Sequence, residues 1–385
     1  MADHIGQRIA TRRRARRMTQ ADLAREAHVS LSMIKSCERG VRTPGPQIVE
    51  AIATALGVDA SRLDPTYVGT TRRVHAALPA LSAVVAGYEY APHTPRRPLN
   101  RLRAEIDQAV EWRLGAQYGL IAAQAPELLT DVLAHLHAGE AEAAHLVISA
   151  ARAADAVAYK FGAHDLSARL IEVMRWASAF VDDPAVHATV AYVRAETFLA
   201  AGVFRVGRIV LEQALDAMPS SNIEQSIATR GALHMRTAVV TARGGDPDAA
   251  YAHLREARML AETVDEGTYL GTAFGPSSVR IHEVALSVSL GRDHIGHALD
   301  LARTWHPGPE VPAERRSGFW IEVARARLWS GDPDGAFRSL QEARRHAPQH
   351  VREHPWARED IATIRRLKRA DAEPLTSYAE WLGVI

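Results

Sequence analysis

Apolar residues recur every three or four positions through most of this chain, the spacing of helices that bury one face. Within residues 3–16 the stripe is Ile5, Ile9 and Ala10, with arginines on the other side. Leu23, Ala24 and Ala27 form it in a second segment, and Ile34 with Cys37 in a third. A fourth runs from Gln47 to Leu56, with Ile48, Ile52, Ala55 and Leu56 inward and Gly57 as its stop. Ala60 to Leu63 fits one more short turn, which makes five helices. No stretch alternates apolar and polar residues convincingly enough for a half-buried strand, so the fold class predicted is all-α.

The residues between the second and third segments fix how those two relate. Thr19 can cap the first and Ser30 the second, each hydroxyl accepting from an orphan amide of the opening turn. His28-Val29-Ser30 is the turn, and Gly40 the C-terminal stop. Two short helices joined this way make a helix-turn-helix, whose second helix enters the DNA major groove. With Ile34 and Cys37 inward, Leu31, Ser32, Lys35, Ser36 and Arg39 fall on the outer arc. Ser32, Lys35 and Ser36 can hydrogen-bond to base edges, and Leu31 can meet a thymine methyl. Gln20 is placed to grip a phosphate with its side chain and the helix N-terminus.

Residues 66–98 read as a connector. Thr70 to Tyr90 can form a helix interrupted at Pro79, and Ala91 to Pro98 is a proline-punctuated linker. Residues 99–385 read as helix throughout. Gly245-Asp246-Pro247 and Gly331-Asp332-Pro333 each supply a stop, an N-cap and a first-turn proline, so each joins two antiparallel helices. Gly139, Gly202 and Gly291 mark further turns. Small and large apolar residues repeat in register: Gly207, Leu211 and Ala214; Ala250, Leu254 and Ala257; Ala336, Leu340 and Ala343. Twelve positions earlier stand Ala195, Ala238 and Ala324. This is the packing pattern of a tetratricopeptide-like α-solenoid, with a degenerate unit between 265 and 305. Phe274-Gly275-Pro276 breaks the period there. With Arg280 and His282 on the next helix, and Arg230, Phe274 itself is a candidate for a ligand site.

Charge sharpens the division. The net charge over 385 residues is +1, yet residues 1–65 hold eleven Arg/Lys against seven Asp/Glu. A basic head on a near-neutral body is the electrostatic footprint of DNA binding by one domain. The one cysteine, Cys37, excludes an internal disulfide framework and reads as a small buried residue. No apolar run is long enough to span a bilayer, and residues 1–17 lack an apolar signal core, so the expectation is a cytoplasmic protein, on the nucleoid when DNA-bound. His346, His350 and His354 are evenly spaced, but Pro348 breaks the helix that would align them, and no metal site is expected. No phosphate-binding glycine loop or nucleophile elbow is present, so neither a cofactor nor a catalytic residue is assigned.

Residues 4–64 resemble the lambda-repressor-like, Xre-type DNA-binding domain through Met18-Thr19-Gln20, Leu23-Ala24, Val29-Ser30, Ile34, Glu38-Arg39-Gly40, Arg42 with Pro44, and Ala53 to Val58. The whole chain resembles actinobacterial regulators with such a head and a tetratricopeptide-like body, through His75 to Leu81, Phe274-Gly275-Pro276, Pro312 to Arg316 and Ala347-Pro348. The resemblance implies phosphate contacts from Gln20, Arg39 and Arg42, and base contacts from Leu31, Ser32 and Ser36. Thr19 and Arg13 complete the expected phosphate set. The expected protein is a homodimeric transcriptional regulator on a palindromic double-stranded operator, with residues 1–65 as head, 66–98 as connector and 99–385 as a sensing and dimerising solenoid. The effector expected is a small molecule or peptide. The alternative is a protein-interaction scaffold localised to DNA by its head.

Overall fold

A computed structural model describes residues 4–27, 29–65, 67, 69–90, 94–368 and 373–384. His28 of the expected turn and Ala91 to His93 of the expected linker lie outside the described residues. The chain divides into two compact units, Met1–Arg73 with Arg358–Ile385, and Val74–Ala357.

The first unit opens with α1 (Ile5–Ala15), α2 (Gln20–Glu26), α3 (Leu31–Glu38) and α4 (Pro46–Ala55). Each start has a local cause. The His4 ring accepts from the Gln7 amide, and Thr19 and Asp22 close a capping box on α2. Ser30 Oγ accepts from the Met33 amide at 3.1 Å, and Pro46 pre-sets the first turn of α4. The fifth element is a single 3-10 turn, Ala60–Arg62, capped by Asp59, and not a full helix. Ile9, Leu23, Ile34, Cys37, Ile52, Leu56 and Leu63 are fully buried at the centre. The stripe of α4 is rotated from the expected one. Val49, Ile52, Ala53 and Leu56 point in, while Ile48 and Ala55 are only partly covered. Both phases satisfy helical spacing, and packing against α2 selects one.

α5 (Thr70–Ala86) is continuous through Pro79, contrary to the expected interruption. The proline frees only the carbonyl of His75, and both residues lie on an exposed face where water can satisfy it. The second unit continues with α6 (Leu99–Leu114), α7 (Tyr118–His137), α8 (Ala143–Lys160), α9 (His164–Ser178), α10 (Pro184–Ala201), α11 (Phe204–Ala217), α12 (Glu224–Arg243) and α13 (Pro247–Ala261). A hairpin of β1 (Gly267–Tyr269) and β2 (Thr272–Phe274) follows. Then come α14 (Pro276–Ser289), α15 (Ile295–Thr304), α16 (Ala313–Trp329), α17 (Pro333–His346) and α18 (Pro348–Glu353). α19 (Pro355–Lys368) and α20 (Glu373–Leu382) end the chain.

The hairpin corrects the expectation that strands are absent. It pairs antiparallel, with Thr268 opposite Ala273 and Tyr269 opposite Thr272. Three-residue strands are too short to show alternation. Otherwise the unit is an α-solenoid of consecutive helix pairs, as the repeat pattern predicts. Ala195, Ala238 and Ala324 are buried where the first helix of each pair approaches its partner. Ala250, Leu254, Ala336, Leu340 and Ala343 complete those seams. Asp246 and Asp332 cap α13 and α17 after Gly245 and Gly331, both in the left-handed region. α6 also packs on α16, and the Gly119 amide donates to Gln349 Oε1 at 3.2 Å, so the first and last pairs of this unit meet.

Two assignments differ from the expected boundaries, the first being that the expected connector 66–98 is divided between the units within α5, after Arg73. Segment 358–385, expected in the solenoid, groups with the N-terminal helices, and Arg62 Nη2 donates to Glu380 Oε2 at 2.7 Å. Its buried stripe of Leu375, Tyr378, Ala379 and Leu382 is legible as helical, but periodicity does not name the surface a helix covers.

Candidate functional site

The exposed arc of α3 is built by what its other face buries. Ile34 and Cys37 are fully enclosed, and burial pushes the Cys37 thiol up from its ordinary value. Leu31, Ser32, Lys35 and Arg39 are consequently turned outward, with Ser36 half-buried at the edge. Ser30 Oγ, as the cap, also lies 2.9 Å from Ser32 Oγ. Lys35 has no ion-pair partner among the described residues. Arg39 Nε folds back on the Lys35 carbonyl at 3.2 Å. The amides of Val41 and Arg42 both donate to the Ser36 carbonyl, which wraps the loop under α3 and leaves Arg42 exposed beside it.

Two of the expected phosphate contacts do something else. Arg13 is buried and grips Glu38 with both prongs, Nε to Oε1 at 2.6 Å and Nη2 to Oε2 at 2.9 Å, while Nη1 donates to the Met18 carbonyl at 2.8 Å. Gln20 Nε2 donates to the same Glu38 carboxylate at 2.7 Å. Burial pushes the Glu38 carboxyl up, but the bonds from Arg13 and Gln20 outweigh it and hold the group below its usual range. The trio joins α1, α2 and α3 and fixes the angle at which α3 is presented. Thr19 is exposed but its hydroxyl is engaged in the capping box. The rest of the basic run, Arg12, Arg14, Arg16 and Arg17, is exposed.

Residues 4–65 match the family model described as a helix-turn-helix domain. The head is a helix-turn-helix domain. The immunity repressor protein of Bacillus phage phi105 is 39% identical over 59 residues, which are 15% of this chain and 41% of the phage protein. The match therefore spans less than half of that relative's length. Among solved structures, Bacillus thuringiensis PlcR in complex with the peptide PapR7 and DNA aligns with 14% identity and a TM-score of 0.29, over 68% of this chain and 95% of PlcR.

In the second unit, the four candidate ligand residues do not converge. Phe274 is fully buried against the glycine face of α12 at Gly231. Arg230 Nη2 is held by the Met218 carbonyl at 2.7 Å. Arg280 is exposed and lies over the Trp305 ring. Only His282 faces a polar interior: its Nδ1 bonds to the Ser278 carbonyl at 2.9 Å and its Nε2 lies 3.4 Å from Arg315 Nη1. Burial, with Arg315 adjacent, holds its pKa down at about 3, so the ring is neutral.

That interior is lined by arginines that sequence pattern alone does not bring together. Arg315 Nη2 donates to the Tyr192 hydroxyl at 2.7 Å, and the Arg236 guanidinium sits 4.2 Å from the centre of the Tyr192 ring. Burial pushes the Tyr192 phenol up, but Arg236 and Arg315 bring it down to about 8. Arg152 and Arg113 reach the same region from α8 and α6. Of these, Arg152 alone carries a local mark, because it interrupts the apolar run Ala150-Ala151 and Ala153-Ala154 of α8. No helix among the described residues is long and apolar enough to cross a membrane.

Proposed function

We propose that this chain is a sequence-specific DNA-binding transcriptional regulator. The observation that carries the reading is the outer face of α3, where Ser32, Lys35 and Ser36 stand exposed or half-exposed on a helix whose orientation is locked by the Arg13–Glu38–Gln20 trio. In this reading Leu31, Ser32, Lys35 and Ser36 meet base edges, and Thr19, Arg39 and Arg42 meet phosphates. Arg13 and Gln20 act by holding α3 and not by touching DNA. Two heads related by a two-fold axis would read a palindromic operator, and the solenoid would supply the dimer and respond to a small molecule or peptide. A ligand that prefers one arrangement of the body then shifts operator affinity by its differential affinity for the two states.

The test is selection from a random duplex library with the purified full chain. Enrichment of two half-sites about 10 base pairs apart, or a multiple of that, supports a dimeric reader. Enrichment of a single half-site contradicts the dimer, and no enrichment contradicts the DNA reading.

A further inference from the structure

In the body, Arg113 and Arg152 are buried side by side, each 8% exposed, and neither belongs to an ion pair among the described residues. A buried cation without a counter-ion is among the least favourable arrangements a fold can hold. Their partners are neutral oxygens of the hairpin tip. Arg113 Nη2 donates to the Gly271 carbonyl at 2.5 Å. Arg152 Nη1 donates to the Leu270 carbonyl and its Nη2 to Thr272 Oγ1, both at 2.6 Å. Three oxygens thus stand before two guanidiniums where the oxygens of a carboxylate or phosphate would stand, and an anionic acceptor makes the stronger bond.

Three further observations point to a ligand. Arg113 Nε and Arg236 Nε are buried without a hydrogen-bond partner, so donors remain for an added acceptor. The tip itself is strained at Leu270, whose φ of 45° lies in a region leucine disfavours, while Gly271 at 72° adopts it freely. The surroundings of the pair also reach the surface: Lys160, Glu314, Arg236 and Glu196 keep 26, 21, 16 and 21% of their side-chain surface exposed. Cations outnumber carboxylates there: Arg113, Arg152, Arg236, Arg315 and Lys160 stand against Glu314, Glu196 and Asp155, and burial raises the Asp155 carboxyl well above its ordinary value.

We propose that the Arg113–Arg152 pair is a binding site for a small oxyanion, a carboxylate or phosphate, and that the tip Leu270–Thr272 is its internal stand-in, displaced when the ligand enters. This rests on reading the body as the sensing part of the regulator, and it names the chemistry sensed.

The experiment is calorimetric titration of the full chain, in chloride buffer at constant ionic strength, with inorganic phosphate, pyrophosphate and citrate. At least one probe binds saturably at one site per chain, and the phosphate and citrate arms separate the two sources of oxyanion. In the Arg113→Met/Arg152→Met variant that affinity falls at least about tenfold, as expected for the loss of charge-assisted bonds. Saturable binding by none of the three probes, or unchanged binding by the variant, overturns the proposal. Gly271→Asp provides a second variant, since a Cβ there would lie 3.1 Å from both Arg113 Nη2 and Arg152 Nη1. Its built-in carboxylate blocks the probe, while the positive φ of Gly271 lowers the melting temperature whether or not the site exists; probe binding that persists in this variant overturns the proposal. DNA affinity is measured on the same samples. Saturable probe binding with no change in DNA affinity supports the site and contradicts the sensing reading.

Discussion

Replacing Arg13 by methionine separates a scaffolding role from a phosphate contact. The side chains of Arg13 and Glu38 are 11% and 6% exposed, so the substitution leaves a nearly enclosed carboxylate with only Gln20 as donor. Breaking one partner of a buried pair destabilises by about 3–5 kcal/mol. A domain of this size holds only about 3–9 kcal/mol in total, at roughly 0.05–0.15 kcal/mol per residue. Arg13→Met therefore removes a large share of the head's stability, and DNA binding falls because α3 is no longer held. The double variant Arg13→Met/Glu38→Leu removes both charges together and recovers most of that stability, since a buried pair replaced by apolar residues is often neutral. The assay is chemical denaturation followed through the head, with DNA affinity measured across a salt series. The double variant is expected to bind DNA with a wild-type salt slope. Recovered stability with binding still weak and the slope reduced by about one unit would refute it, because that is the signature of a lost phosphate contact. The pH dependence has a fixed sign. Glu38 is held below its usual value, so its contribution is complete above about pH 4.3 and is lost as pH falls through the depressed value.

Other consequences are equally local. Gly6→Ala places a Cβ on the Cys37 carbonyl oxygen between α1 and α3, and a loss of about 1–3 kcal/mol is expected in thermal melts of the head. Gly231→Ala meets the ring of the fully buried Phe274 and lowers the stability of the body by a similar amount, about 1–3 kcal/mol, without changing DNA contacts directly. Ser30→Ala removes the cap of α3 and lowers head stability by about 0.5–2 kcal/mol. His282 and His350 are held down at about 3, mainly by burial, against about 6.5 in an unfolded chain. The unfolded state then binds more protons below pH 6.5, so stability is full above that value and falls as pH drops toward 3, by about 2 kcal/mol per histidine at pH 5. A body melt that is flat between pH 7 and pH 5 would contradict this.

The head was legible because its signals are local. Thr19, Ser30 and Gly40 end and start helices by chemistry that acts within a few residues, and Ile34 with Cys37 fixes the phase of α3. The phase of α4 was ambiguous because Ile48 and Val49 are adjacent and both apolar, and only packing against α2 selects between them. Arg13 and Gln20 show a different limit. A basic residue beside a helix-turn-helix reads as a phosphate ligand, and nothing in the linear order reveals that Glu38 stands opposite both. The same holds for the body. Arg113, Arg152, Arg236 and Arg315 come from four helices far apart in sequence, and an arginine on a helix reads by default as solvent-facing. Their convergence depends on α6 meeting α16, a long-range contact with no local signal. The hairpin escaped because its strands are three residues long and its turn, Leu270-Gly271, lacks the usual asparagine or aspartate before glycine.

The proposed function requires that α3 read bases and that Arg42 contribute only a phosphate contact. The direct measurement is the affinity of the wild type, Ser32→Ala/Lys35→Ala and Arg42→Ala for every single-base variant of the selected operator, at several salt concentrations. The Ser32/Lys35 variant is expected to flatten the penalty of about 1–3 kcal/mol at the base pairs it reads and to leave the other positions unchanged. Arg42→Ala should weaken all sequences alike and reduce the salt slope by about one unit. If both variants lose affinity uniformly, or both lose discrimination at the same positions, the assignment of α3 as the reading helix is wrong.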